Sequence, residues 1–113
     1  MADDDRRTNE TIARACGWFP CAYGWCRTCG PDRDTGQTPR VPDYIADPAR
    51  LPEMWALCRE KYRVCSIVYP DGFADVEVWN GYGVLKGYWN GPLGFQDAFA
   101  RALAAALESG EGG

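Results

Sequence analysis

The chain has 113 residues, 46% of them hydrophobic and 25% charged, which supports one modest core and excludes global disorder. A formal charge of −4 and the absence of histidine argue against a basic face for nucleic acid and remove the usual neutral-pH general base. No apolar run reaches membrane-spanning length and MADDDRRTNET lacks the layout of a signal peptide, so the expected setting is cytoplasmic, away from membranes.

The charged residues 1–7 predict a frayed start. Thr8 or Asn9 then caps a short helix with an apolar stripe of Ile12, Ala15 and Cys16, with Glu10 and Arg14 in water and Gly17 as its stop. Residues 18–47 read as a Cys- and Pro-rich loop, since prolines at 20, 31, 39, 42 and 48 argue against long regular structure. Asp47-Pro48 is a helix entry, and Pro52 begins the helix proper. Met54, Trp55, Leu57 or Cys58, and Tyr62 follow its period, with Glu53, Arg59, Glu60 and Lys61 wet.

A strand is predicted over 63–69, then a Pro70-Asp71-Gly72 turn and a second strand over 73–79. The alternation puts Ala74, Val76 and Val78 on one face and Asp75, Glu77 and Trp79 on the other. Asn80-Gly81 signals a hairpin into a third strand over 84–89, which ends at Asn90-Gly91-Pro92. The last helix, 95–108, carries Phe95, Phe99, Ala102, Leu103 and Ala106 on one stripe, and residues 109–113 read as a flexible tail. Ala98, Ala102, Ala105 and Ala106 would let that helix sit close to the sheet. The expected fold is a single α+β domain over 1–113: a three-stranded antiparallel meander packed with helices, after a short N-terminal helix and a Cys-rich loop.

Cys16, Cys21, Cys26 and Cys29 crowd into the stretch CGWFPCAYGWCRTCG. Cys26 and Cys29 have the C-x-x-C spacing that grips a tetrahedral metal, and Cys21 supplies a third sulfur. Cys16, or Asp32 through oxygen, is the fourth candidate for one structural zinc. Two other readings stay open: buried or free thiols, and a redox pair of Cys26 with Cys29. Cys58 and Cys65 read as core residues.

Five Trp, six Tyr and four Phe either fill the core or form a partly exposed recognition surface. Trp79-Asn80-Gly81 and Trp89-Asn90-Gly91 each bring a tryptophan to a strand end, with Tyr82 beside them. Trp18, Tyr23, Trp25 and Arg27 form a second group, which either wraps the loop onto the domain or clamps a nucleotide by stacking and phosphate pairing. Asp32, Asp34, Asp71, Asp75 and Glu77 read as solvated turns and faces. No phosphate-binding glycine loop or nucleophile elbow is present.

The segments TNETIARACGW, PDYIADPARLPEMWAL and FQDAFARALAAALES, with the hairpin between the last two, resemble the phage ABA-sandwich family of small tailed-phage and prophage proteins. The likeness covers all but the cysteine loop and the tails. Cys16 stands where that group carries leucine, and the cysteine-bearing insertion at 19–38 is not part of its layout. The resemblance implies a phage-encoded accessory protein of the bacterial cytoplasm and implies no chemistry. Together with the residues it gives three expectations. The first is non-enzymatic binding that inhibits or modulates a host defence protein, anchored by Trp79, Tyr82 and Trp89. The second is a homo-oligomer that sequesters a nucleotide-like signal between rings such as Trp25 and Arg27 or Arg63. The third and least favoured is a thiol enzyme using Cys26 or Cys29.

Overall fold

The structure, a computed structural model, describes residues 3–21, 24–27, 37–59 and 61–109. Among them, three α-helices and two three-stranded antiparallel sheets form an α+β fold. The elements are α1 (Asp3–Ala15), β1 (Phe19–Cys21), β2 (Gly24–Cys26), β3 (Gln37–Thr38), a 3-10 turn (Pro48–Arg50), α2 (Leu51–Cys58), β4 (Tyr62–Val68), β5 (Ala74–Asn80), β6 (Leu85–Gly91) and α3 (Phe95–Ser109).

Helix α1 begins well before the predicted cap. Asp3, Asp4 and Asp5 lie in its first turn, where the positive end of the helix dipole favours carboxylates. Asp5 also reaches Arg101 at 2.7 Å, and Arg7 reaches Glu108 at 3.2 Å, so residues 3–7 are tied to α3 rather than frayed. Asn9 is no cap. It is fully buried, and its Oδ1 accepts the Tyr44 backbone N–H at 2.8 Å. Ala13, not the exposed Ala15, joins Ile12 in the core. Gly17 ends the helix as expected: φ is +96°, and the Trp18 N–H returns to the Ala13 carbonyl at 2.9 Å.

The cysteine loop holds a small sheet in the order β1-β2-β3 where irregular chain is expected. Pro20 is tolerated because β1 is an edge strand. Asp47 caps the 3-10 turn by accepting the Ala49 N–H at 3.0 Å, and α2 follows directly. That helix stops at Cys58, short of the predicted end, and Tyr62 opens β4.

The large sheet runs β4-β5-β6, with β4 and β5 in unbroken register from Tyr62↔Asn80 to Val68↔Ala74. Trp89, Asn90 and Gly91 lie inside β6, pairing with Val76, Asp75 and Ala74, so the second Trp-Asn-Gly is strand and not turn. In the β5–β6 hairpin the positive φ falls on Gly83 (+80°) rather than on Asn80 or Gly81. The Asn80 Oδ1 accepts the N–H groups of Tyr82 and Val84, which fits a three-residue loop.

Helix α3 packs on β5 and β6, and α1 packs on α3. Ala74, Val76 and Val78 are fully buried against Ala98, Phe99, Ala102, Leu103 and Ala106, while Ala105 is exposed. The opposite sheet face is open: Arg63, Cys65, Ile67, Leu85 and Tyr88 are exposed there. Cys58 belongs to the core as expected; Cys65 does not. No described helix is long and apolar enough to cross a membrane.

Candidate functional site

The densest polar cluster centres on Glu53, in the first turn of α2, a residue the helical pattern places in water. Its Oε1 accepts the Arg27 guanidinium at 2.6 Å, the Tyr44 hydroxyl at 2.8 Å and the Trp18 indole N–H at 3.4 Å. Its Oε2 accepts Arg50 at 2.6 Å. Both guanidiniums also lie over the Trp18 ring, at 4.9 Å for Arg27 and 5.3 Å for Arg50. Burial alone would raise the Glu53 pKa, but the hydrogen bonds from Arg50 and Tyr44 and the arginine fields hold it below its ordinary value.

Beside this cluster lies an open pocket of about 450 Å³, lined by Cys16, Arg27, Pro52, Glu53, Ala56 and Leu57. The Cys16 thiol hydrogen-bonds Tyr44, and burial pushes its pKa up, so it stays a thiol at neutral pH. Tyr44 is raised by burial and by the neighbouring Cys16 and Glu53. The site therefore offers neither a thiolate nucleophile nor a free carboxylate base. An incoming phosphate would have to displace Glu53 from Arg27 and Arg50.

Of the predicted loop cluster, the structure brings Arg27 onto Trp18 but gives Trp25 a different cation, Arg14, at 5.3 Å. Tyr23 lies outside the described residues. The Arg50-x-x-Glu53 spacing just after Pro48 was the available sequence signal for the hub.

Of the expected zinc ligands, Cys16, Cys21 and Cys26 are described. Cys21 and Cys26 are joined as a disulfide, so neither is a thiolate in this form. Cys29, Asp32 and Asp34 lie outside the described residues. Among those described, no three His, Cys, Asp or Glu side chains gather to hold a metal ion, and the Cys16 side chain lies against Tyr44.

The open face of the β4-β5-β6 sheet carries three cross-strand rows: Arg63–Trp79–Leu85, Cys65–Glu77–Tyr88 and Ile67–Asp75–Asn90. Asp75 and Glu77 thus stand at the centre of an aromatic and aliphatic surface. The Trp79 indole N–H donates to Glu77 at 3.1 Å, which fixes the ring across the face. Desolvation, then the hydrogen bond to Asp75 and the nearby carboxylates, raise the Tyr88 hydroxyl above its ordinary pKa. The Asp75 Oδ1 is shielded from solvent and has no hydrogen-bond partner. A hollow of about 320 Å³ opens at the hairpin end between Arg63, Cys65, Trp79, Asn80, Gly81 and Gly83.

The three expected anchors do not share this surface. Tyr82 is 92% exposed at the hairpin tip beside Trp79. Trp89 pairs with Val76 and so lies on the helix-covered face, where Arg101 approaches its ring at 5.3 Å. Comparison of the chain with family models, with curated proteins and with solved structures gave no match.

Proposed function

We propose that this chain is a small phage-encoded accessory protein of the bacterial cytoplasm that inhibits a host defence protein by binding it, without catalysis. One observation carries the reading: among the described residues helices cover only one face of the main sheet, and the other presents Trp79, Tyr88 and Ile67 around Asp75 and Glu77. Aromatic anchors beside carboxylates suit a partner patch that combines apolar and basic groups. Tyr82 adds a rim contact at the hairpin tip. The phage setting rests on the resemblance of the helical segments to the ABA-sandwich group.

In a reducing cytoplasm the Cys21–Cys26 bond opens. The freed sulfurs then join Cys29 as ligands of one structural zinc that folds the loop.

The test is capture from bacterial lysate on the tagged chain, followed by titration of the purified partner. Trp79→Ala/Tyr82→Ala is expected to weaken binding at least tenfold, and Trp89→Ala to leave it unchanged. Equal binding by the double variant would remove this reading. A nucleotide released on heating, with no protein captured, would favour sequestration of a small molecule.

A further inference from the structure

The two edges of the main sheet are unlike. The β6 edge is interrupted by Gly87 and Gly91, carries Lys86, and bulges where Val78 and Trp79 of β5 shift register. Such features discourage a further strand from adding. The β4 edge has none of them. Its sequence YRVCSIV lacks Pro, Gly and Lys, its register with β5 is unbroken, and no described strand lies beyond it.

The backbone orientation of β4 follows from one bond. The Tyr69 N–H donates to the Phe73 carbonyl at 2.8 Å, so Arg63, Cys65 and Ile67 also direct their polar backbone groups toward β5. Alternation then turns the N–H and C=O groups of Val64, Ser66 and Val68 to the free edge. Ser66 and Val68 are exposed, and Val68 and Ile67 each leave more than half their surface in water.

Charge selects the occupant. Arg63 is exposed and makes no ion pair among the described residues, while Asp75 on the next strand has an oxygen without a hydrogen-bond partner. Within one chain the two are kept apart, because Arg63 pairs with Trp79 and Asp75 with Ile67. A second copy added antiparallel to β4 brings them together. Full overlap of Tyr62–Val68 with itself centres on Cys65, and it sets Arg63 opposite the partner's Ile67. The partner's Asp75 is then one strand further, roughly 10 Å across two strand spacings. An extended arginine leaning over isoleucine toward the carboxylate spans that gap.

We propose that two copies of this chain pair through β4, antiparallel about a two-fold axis at Cys65, into one six-stranded sheet. The pairing hydrogen-bonds Val64 to the partner's Ser66 and the converse, and joins each Arg63 to the partner's Asp75. Cys65 and the partner's Cys65 form a non-hydrogen-bonded pair about 4.5 Å apart at Cα, inside the range a disulfide spans. The inference goes beyond the docking reading above and does not depend on it; a monomer would leave that reading standing.

Sedimentation equilibrium of the full chain under reductant is the test. The expected mass rises with concentration from 12.5 kDa toward twice that value. Ser66→Pro removes only an edge-facing N–H, leaves the β4–β5 ladder intact, and should weaken association at least tenfold. Circular dichroism checks its fold. If that variant unfolds, the charge pair decides instead: Arg63→Glu and Asp75→Arg each weaken the dimer, and the double variant restores it. In a parallel arm, diamide takes up the two electrons and two protons released as two Cys65 thiols form a disulfide. The resulting dimer should be absent in Cys65→Ser, whose non-covalent dimer persists. A mass of 12.5 kDa at every concentration overturns the proposal, as does a dimer that a folded Ser66→Pro, or each of the two charge variants, leaves intact.

Discussion

Gly87 of β6 lies directly against the Ala102 carbonyl of α3. A Cβ at this glycine would fall on that oxygen and come within 2.8 Å of the Ala106 nitrogen. The fully buried Ala98, Ala102 and Ala106 keep the helix at this distance from the sheet. Gly87→Ala must therefore push backbone from backbone, since no flexible side chain stands there to yield. The expected cost is about 2–3 kcal/mol. Urea unfolding reads it as a lower midpoint at unchanged slope; an unaltered midpoint would show that the helix is free to move away.

Glu53 couples stability to acid. Its folded pKa is depressed below the ordinary 4.5, so its contribution is present in full above that value and lost as pH falls through the folded pKa. The wild type should thus lose stability below about pH 4.5, more steeply than Glu53→Gln, which keeps the shape and removes the charge. At neutral pH the variant should be about 2 kcal/mol less stable, because Arg27 and Arg50 lose their shared carboxylate. Thermal midpoints from pH 3 to pH 7 for both proteins check this, and parallel curves would refute the coupling.

Arg101 holds the start of α1 to α3. It bonds Asp97, its neighbour one turn away and only 5% exposed, and reaches Asp5 at 2.7 Å. Arg101→Ala leaves the Asp97 carboxylate buried without its cation, at an expected cost of about 3 kcal/mol. Asp5→Asn breaks only the outer contact and should cost well under half as much. Denaturation of the two variants side by side separates the roles.

Thiol reactivity should follow burial. Cys58 is buried and pushed up to about 12, mainly by desolvation, and Cys16 is raised for the same reason. Cys65 lies exposed on the open face. A maleimide at neutral pH should modify Cys65 well before Cys16 or Cys58, as read by peptide mass spectrometry. Equal rates would mean that the native packing around α2 opens readily.

What lay within a few residues was legible in the chain itself. The alternation Ala74-Asp75-Val76-Glu77-Val78-Trp79 settled which side chains of β5 are buried, because a strand has a period of two. The alanine and phenylalanine stripe settled α3 and its closeness to the sheet, and Gly17 settled where α1 stops.

Contacts between distant segments belonged to the tertiary structure. Glu53 looks wet by helical period, yet Arg27 and Tyr44 arrive from separate loops and turn it into a hub. Trp79 and Trp89 look equivalent in their repeated tripeptides, but β6 pairs with a bulge that sends the second ring to the covered face. Asn9 and Asp5 likewise take their roles from Tyr44 and from α3, not from their neighbours in the chain. Local periodicity fixes elements because each residue's own backbone enforces it; partnerships across the fold, and the bare face that α1 and α3 leave behind, exist only once those elements have packed.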